Sequence, residues 1–150
     1  MHAIDLIKTE HRAIRRLFAQ FDRLEMNDQN GQEAVVKDLV ALLHKHAAAE
    51  EDVFYPEVAK ADAEPTEQMQ DSADEHEHID QMVDELSAMS AEEPHYRQRF
   101  MALRSTMMQH MREEEREVLP AAEANMDADT LESLGKSMRK EQRTHGHSVN

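Results

Sequence analysis

The sequence contains no cysteine and no tryptophan, and it has only three glycines and four prolines in 150 residues. Without cysteine there are no disulfides, zinc–thiolate sites, iron–sulfur clusters or thiol nucleophiles, so any metal must be held by histidine and carboxylate. The lack of cysteine also fits a reducing compartment, and we expect a cytoplasmic protein. Few glycines and prolines leave few turns, while abundant Ala, Glu, Leu, Met, Gln and Arg favour helix. The composition therefore predicts an all-α fold.

Long apolar runs are also missing. No stretch approaches the roughly 18 consecutive apolar residues of a membrane-spanning helix, and the first residues lack the basic and apolar segments of a signal peptide. The formal net charge is −15, and an acidic chain repels phosphate backbones. We therefore expect neither a membrane nor a nucleic acid as partner. Whether the chain is a monomer or a homodimer is left open.

Four stretches carry apolar residues at spacings of three and four, the pattern of a helix with one buried face. Turn signals separate them at residues 27–31, 63–66 and 90–94. Because these connections are short, neighbouring helices are expected to run antiparallel in an up-down-up-down four-helix bundle. We predict a short fifth helix near residues 128–142. Residues 1–143 would then form one domain, and residues 144–150 a flexible polar tail.

The chain repeats itself after about 65 residues. Glu10-His11 recurs as Glu75-His76, and His46 followed by Glu50 recurs as His110 followed by Glu114. Two residues four apart on a helix differ by only about 40° in direction, so each His-x-x-x-Glu pair leaves one helix face. Two similar helix pairs packed about a pseudo-two-fold axis would bring two half-sites together.

A single histidine on an apolar stripe is usually a hydrogen-bonded core residue, and a bundle with core histidines is the alternative to a metal site. Here all four stripes carry a histidine at mid-length, and two carry a glutamate one turn later. Unpaired buried carboxylates are costly, and the nearest basic residue is Arg15. We therefore predict a pair of metal ions on the inward-facing side chains, which are His11, His46, Glu50, His76, His110 and Glu114.

The number of ligands fits two ions. Four histidines give two nitrogens to each ion, two bridging glutamates give each ion two oxygens, and an oxo or hydroxo bridge gives a fifth ligand. A six-coordinate ion keeps one position for a small molecule. The nitrogen and oxygen ligands suit iron best, with zinc or manganese possible. We expect an apolar pocket around that position, lined by Ile7, Ile14, Leu43, Ile79 and Met107.

The order His, His-x-x-x-Glu, His, His-x-x-x-Glu, with Glu-Glu-x-Val-Phe-Tyr-Pro following the first pair, resembles the hemerythrin-like (HHE) family. The resemblance covers about residues 1–125. It implies a helical bundle with a non-haem di-iron centre that binds dioxygen or related small molecules. It also implies the same six ligands.

The sequence departs from oxygen-carrying hemerythrins at two positions. They have a further histidine one turn before the third-helix ligand, where this chain has Ser72. They also have an aspartate five residues after the fourth-helix histidine; here Glu114 fits the repeat better, and Glu115 is the fallback. Asp80, one turn after His76, is a candidate for the freed position. Tyr55 would approach the metal only if the backbone bends before Pro56.

Three functions follow from these residues. The first is reversible binding of dioxygen, nitric oxide or peroxide, in oxygen or oxidative-stress handling or sensing. The second is a di-iron enzyme with catalase-like, ferroxidase or nitric-oxide-reducing activity, which the missing histidine favours. The third is a regulatory module that responds to iron supply, because metal-binding energy would also be folding energy. We favour the first.

Overall fold

The computed structural model describes residues 1–61 and 66–148, and within them the chain forms helices and no strand. The helices are α1 (Ala3–Arg23), α2 (Gln29–Ala49), α3 (Tyr55–Ala61), α4 (Thr66–Ser87), α5 (Tyr96–Glu113), α6 (Leu119–Asn125) and α7 (Ala128–Ser148). The predicted all-α fold is confirmed. The predicted break at residues 63–66 lies outside the described residues except for Thr66. No described helix combines the length and apolar character needed to cross a membrane.

Helix α2 begins earlier than the turn signals predict. Asp28 caps its first turn by accepting a hydrogen bond from the Gly31 N–H at 2.9 Å. Asn30 and Gly31 therefore lie inside α2, because a capping aspartate satisfies an N–H group that a new helix leaves unpaired.

Two π-helical segments, Glu50–Phe54 and Glu114–Val118, interrupt the helices that carry the His-x-x-x-Glu pairs. In each, a backbone N–H bonds the carbonyl five residues earlier, from Tyr55 to Glu50 and from Leu119 to Glu114. A proline follows both segments, and its ring would clash with the carbonyl four residues earlier in a regular α-helix. The wider π turn accommodates the proline and shifts the phase of the residues beyond it.

The long helices contact one another as a closed bundle requires: α1 packs on α2, α4 on α5, α2 on α4 and α1 on α5. The up-down-up-down order of these helices stays a prediction.

The apolar core is divided into two clusters with a polar layer between them. The first cluster lies around the two π segments and includes Ile4, Ile7, Phe54, Leu119, Leu134 and Met138. The second cluster lies towards the other end of the long helices and includes Ile14, Phe18, Leu39, Val83, Phe100 and Leu103. The layer between them contains the six predicted ligands, which are at most 4% exposed. Apolar packing on both sides therefore keeps water away from this layer.

Helix α7 is longer than the short fifth helix predicted from the sequence. It spans 21 residues and packs against α1, α2 and the first π segment, burying Leu131, Leu134 and Met138. Gly135 lies at the closest approach: a Cβ atom added there would be 2.3 Å from the carbonyl oxygen of Met1. The predicted boundary between a domain at 1–143 and a tail at 144–150 falls inside this helix. Residues 149–150 lie outside the described residues.

Candidate metal centre

The six predicted ligands converge on one point of the bundle and form two groups. The first group, site 1, contains His11 and His46, and the second, site 2, contains His76 and His110. Both groups include the same two carboxylates, Glu50 and Glu114. Within each group, one potential ligand atom from each residue lies within 4.8 Å of the others. The arrangement has the connectivity of two cation positions that share two carboxylates.

The Nε2 atoms of the four histidines point inward, towards the carboxylates. His46 Nε2 lies 3.0 Å from Glu50 Oε1, and His11 Nε2 lies 3.1 Å from Glu114 Oε1. In site 2, the Nε2 atoms of His76 and His110 are 3.2 Å apart. Nitrogen and oxygen acceptors this close require either protons or a cation between them.

Several inward-facing atoms of this layer approach one another but form no hydrogen bond of suitable geometry among the described residues. These buried atoms are His11 Nε2, His46 Nε2, both carboxylate oxygens of Glu50 and Glu114 Oε1. Leaving such groups unsatisfied costs about 1–3 kcal/mol each, and more when they are charged. A layer with this many unsatisfied nitrogen and oxygen atoms provides the ligands that an ion-binding site needs.

The opposite nitrogen of each histidine contacts a second carboxylate on the outside of the layer. His46 Nδ1 lies 2.8 Å from Glu10 Oε1, and His110 Nδ1 lies 3.0 Å from Glu75 Oε1. Glu10 and Glu75 occupy equivalent positions of the repeat, each directly before a predicted ligand.

The other two histidines repeat the arrangement between the halves of the chain. His76 Nδ1 lies 2.8 Å from Glu51 Oε1, and His11 Nδ1 lies 3.2 Å from Glu115 Oε1. An ionised carboxylate only accepts hydrogen bonds, so each Nδ1 carries a proton, and in the neutral ring the Nε2 lone pair faces inward. Carboxylates that orient metal-bound histidines in this way are the usual outer partners of a metal site.

Without metal, protons on the histidines balance the charges of the buried carboxylates in this layer. Burial lowers the pKa of His76, but Glu50 and Glu51 outweigh burial and raise it to about 10. Burial likewise opposes the charged form of His46, yet Glu50 and Glu10 hold its pKa well above the ordinary value. Because ligands must release protons to bind a cation, metal uptake here would be coupled to proton release.

The two carboxylates of the layer differ from each other. Burial and the neighbouring Glu50 raise the pKa of Glu114. Burial also works against ionisation of Glu50, but His46 outweighs it and lowers the pKa of Glu50 well below its usual range. Two carboxylates this close do not ionise equally well without a cation.

The pseudo-symmetry is broken in the outer contacts. Arg15 binds Glu115 through two hydrogen bonds of 3.2 and 2.8 Å, beside His11 of site 1. The equivalent position of the repeat is Asp80, and burial and the charge of Glu51 raise its pKa. Site 1 thus has a cation outside it where site 2 has another acid.

A second asymmetry comes from α7. Gln142 Nε2 donates a 2.6 Å hydrogen bond to Glu10, which in turn holds His46 of site 1. Helix α7 therefore supports site 1 through Glu10.

Tyr55 reaches the centre. Its hydroxyl donates a hydrogen bond to Glu114 Oε2 and lies 3.2 Å from His76 Nε2. The first π segment supplies the change of direction before Pro56, because its five-residue hydrogen bond places Tyr55 above Glu50. Burial and the charges of both shared carboxylates raise the pKa of this phenol well above its usual value. The equivalent residue of the repeat is Leu119, so only one side of the centre has a phenol.

The other candidate residues lie around the two groups rather than in them. Glu115 faces His11 Nδ1 and Arg15, which is an outer position. Asp80 lines two cavities beside site 2, and Ser72, which is buried, lines a third together with His110.

The predicted apolar pocket is only partly assembled. Leu43, Ile79 and Met107 line a void of about 10 Å³ beside His76 and His110, which is roughly the space of one water molecule. Ile14 belongs to the same core cluster, whereas Ile7 lies in the other cluster. The two isoleucines flank His11 by one turn on either side, so the polar layer separates them.

Sequence reasoning did not assign the outer residues Glu10, Glu51, Glu75 and Gln142. For the three glutamates a signal was present, because the repeat preserves an acid directly before or after a predicted ligand. No signal in the sequence pairs Gln142 with Glu10, since that contact depends on how α7 crosses the bundle.

Comparisons with known proteins agree with this geometry. The model of the hemerythrin HHE cation-binding domain matches residues 2–122. A crystal structure of a hemerythrin HHE cation-binding domain-containing protein from Mycobacterium kansasii superposes with a TM-score of 0.84 at 23% identity, covering 99% of this chain and 89% of that one.

A curated protein from Nostoc, named DNA nickase, is 29% identical over 136 residues. The match covers 88% of this chain but only 36% of that protein, so the chain spans about a third of the relative's length. On the match over residues 2–122, the chain belongs to the hemerythrin HHE cation-binding domain family.

Proposed function

We propose that this chain is a non-haem di-iron protein that binds a small molecule such as dioxygen, nitric oxide or peroxide. Iron would be held at site 1 by His11 and His46 and at site 2 by His76 and His110, with Glu50 and Glu114 shared. The observation that carries the proposal is that both groups of buried ligands include the same two carboxylates. The up-down-up-down order of the four long helices belongs to the same proposal.

Iron is preferred over other ions because of the donor set. Imidazole and carboxylate together suit iron, and the absence of cysteine removes the softer ligands that favour other sites. Zinc and manganese remain the alternatives. Bound iron would supply reversible electron transfer and an open position for a small ligand.

The residues around site 2 support small-molecule binding. The void beside His76 and His110 is lined by Leu43, Ile79 and Met107 together with Asp80. A space this small with a largely apolar lining favours a small neutral ligand over a bulky one.

Tyr55 favours a second candidate, a di-iron enzyme that turns over peroxide, nitric oxide or ferrous iron. Its hydroxyl lies within hydrogen-bond distance of both Glu114 and His76, so it can hold a proton at the edge of the site. Reactions of this class consume or release protons, and a positioned phenol can donate one. An iron-responsive regulatory module is the third alternative.

The name of the Nostoc relative belongs to that whole protein. Function does not follow from a shared fold alone, and the net charge of −15 opposes binding to a phosphate backbone. Incubation of the iron-loaded chain with supercoiled plasmid tests nicking directly, and we expect no relaxed circles above a metal-only control.

The test of the main proposal is metal analysis and spectroscopy of protein purified without oxygen. We expect about two iron ions per chain and new charge-transfer bands on exposure to air, as a carboxylate-bridged bundle site predicts. His110→Ala is expected to lose iron, while His78→Ala, an exposed histidine two residues from a ligand, keeps it. Bands that reverse on deoxygenation select a binding protein, and peroxide loss with bleaching selects an enzyme. An iron-free protein that ferrous iron does not change would overturn the proposal.

A further inference from the structure

A cavity of about 70 Å³ reaches site 2 from the surface between α4, α5 and the second π segment. Two proposed ligands, His110 and Glu114, line it together with Ser72. At about 10–15 Å³ per water molecule, the space holds several waters. A small ion can therefore enter while it keeps part of its hydration shell.

The outer part of this cavity is strongly acidic. Asp71, Glu75, Glu113 and Glu117 line it, and none of the described residues that line it is a lysine or an arginine. Carboxylates gathered on one path raise the local concentration of cations and replace the water that an entering dication loses.

The cavity also leads to a carboxylate shared by both sites. Glu114, at its inner end, is 2% exposed; its Oε2 atom lies 3.6 Å from His110 Nε2 of site 2, and its Oε1 atom lies 3.1 Å from His11 Nε2 of site 1. Oε1 forms no aligned hydrogen bond among the described residues. The cavity therefore meets the centre at His110, on the side of site 2, beside a carboxylate whose bonding is incomplete without a cation.

The other two cavities near site 2 suit a cation less well. The larger one, of about 560 Å³, touches Tyr55 and Glu51 but none of the six proposed ligands. The void of about 10 Å³ is lined by three histidines and Asp80, but apolar side chains form much of its wall and it has room for about one water molecule. A cation entering there would lose nearly all of its hydration shell at once, which is costly.

Site 1 has different groups outside its histidines. Arg15 binds Glu115 beside His11, and Gln142 of α7 binds Glu10 beside His46. The Arg15 guanidinium neutralises the charge of Glu115, so this side of the centre attracts a cation less strongly than the acidic cavity does.

We propose that divalent cations load the centre through this acidic cavity and reach site 2 before site 1. The inference rests on the proposed function, because it names the route by which the same centre obtains its metal. It assigns Asp71 and Glu117 to ion entry rather than to holding the bound ion.

The test is the rate at which cobalt(II) loads the metal-free protein, followed by stopped-flow absorbance. The double variant Asp71→Asn/Glu117→Gln is expected to load about tenfold more slowly at low salt, the size of a typical steering effect. Its final cobalt content and its unfolding midpoint in the loaded state are expected to match the wild type. The matched control is Asp38→Asn/Glu92→Gln, which removes two exposed acids outside the cavity and is expected to load at the wild-type rate.

A second variant tests the route without changing charge. Ser72→Leu places an apolar side chain in the cavity and is expected to slow both loading and release. Added salt is expected to reduce the difference between the acidic double variant and the wild type, because screening weakens steering.

The outcomes separate the two proposals. If the wild type binds no cobalt and no iron, the proposed function fails. If it binds metal while the acidic double variant and Ser72→Leu both load at the wild-type rate, the entry route is wrong and the centre stands.

Discussion

Glu10 Oε1 lies 2.8 Å from His46 Nδ1, and one repeat later Glu75 Oε1 lies 3.0 Å from His110 Nδ1. In each pair, the glutamate directly precedes one predicted ligand in the chain. It contacts the imidazole ring of a second predicted ligand on the neighbouring helix. The pairs hold the inward Nε2 atoms in place and make imidazole a stronger donor to a cation.

Removing either outer charge is expected to weaken metal binding. Glu10→Gln and Glu75→Gln each keep a hydrogen-bonding side chain but lose the charge, and we expect about 10–100-fold lower metal affinity. Competition with a chromophoric chelator for cobalt(II) measures the change. Glu57→Gln, at a carboxylate that pairs with Lys60 away from the centre, serves as control. Unchanged affinity in both outer variants would mean that these carboxylates serve folding alone.

Replacing Tyr55 by phenylalanine is expected to destabilise the metal-free protein. The change removes the donor to Glu114 in a buried layer, which costs about 1–3 kcal/mol. Urea unfolding of the metal-free variant measures this loss. Tyr96→Phe is the control. Tyr96 is also buried, but its hydroxyl makes no side-chain hydrogen bond to the described residues. Equal stability of the two variants would mean that the hydrogen bond of the Tyr55 hydroxyl does not stabilise the centre.

The stability of the metal-free protein is expected to fall as the pH rises. Burial lowers the pKa of His76, but Glu50 and Glu51 raise it to about 10, so its protonated form stabilises the fold. Such a contribution is complete below the unfolded pKa of about 6.5 and is lost as the pH rises towards 10. Thermal unfolding between pH 6 and pH 10 measures the slope.

Bound metal is expected to reverse this dependence, because it requires the neutral ring. The rise in Tm on adding cobalt(II) therefore grows over the same pH range. His76→Gln is expected to flatten the slope of the metal-free protein, while the exposed His78→Gln keeps it. A wild-type slope retained in His76→Gln would assign the dependence to another group.

Gly135→Ala is expected to destabilise the chain although alanine is the better helix former. The added Cβ would lie 2.3 Å from the Met1 carbonyl oxygen and 3.1 Å from the Ala3 nitrogen. Overpacking against backbone costs about 1–3 kcal/mol, more than the roughly 1 kcal/mol gained in helix propensity. Chemical unfolding measures the balance. Ser137→Ala, an exposed position on the same helix, is expected to be neutral or slightly stabilising, and a similar gain at Gly135 would contradict the close approach.

The inward-facing residues could be predicted from the sequence because they obey helical spacing within single helices. A spacing of four residues from His46 to Glu50 is enough to place both on one face, and the duplication points to His110 and Glu114 in the same way. The relative directions of side chains on one helix follow from their spacing in the sequence.

The outer residues could not be predicted from spacing because they depend on contacts between helices. Glu51 and Glu115 lie next to ligands in the chain, where an ideal helix turns them about 100° away from the ligand face. Each of them contacts a histidine on another helix. Regular helix geometry places Tyr55 off the ligand face, and the π segment before Pro56 is the bend that brings it to the centre. The proline indicates that the helix is disturbed, but it does not fix the direction in which Tyr55 turns.

The duplicated helix pairs have a consequence for how the protein could be divided. Each half supplies two histidines and one of the shared carboxylates, and Glu51 and Glu115 each hold a histidine of the other half. Neither half carries a full set of ligands by itself. Because one chain joins α3 to α4, the two hairpins cannot diffuse apart, and the effective concentration of one hairpin beside the other is high. Cleaved at that link, the two fragments are expected to associate more tightly when metal is present, so that a split form of the protein would report on cation supply.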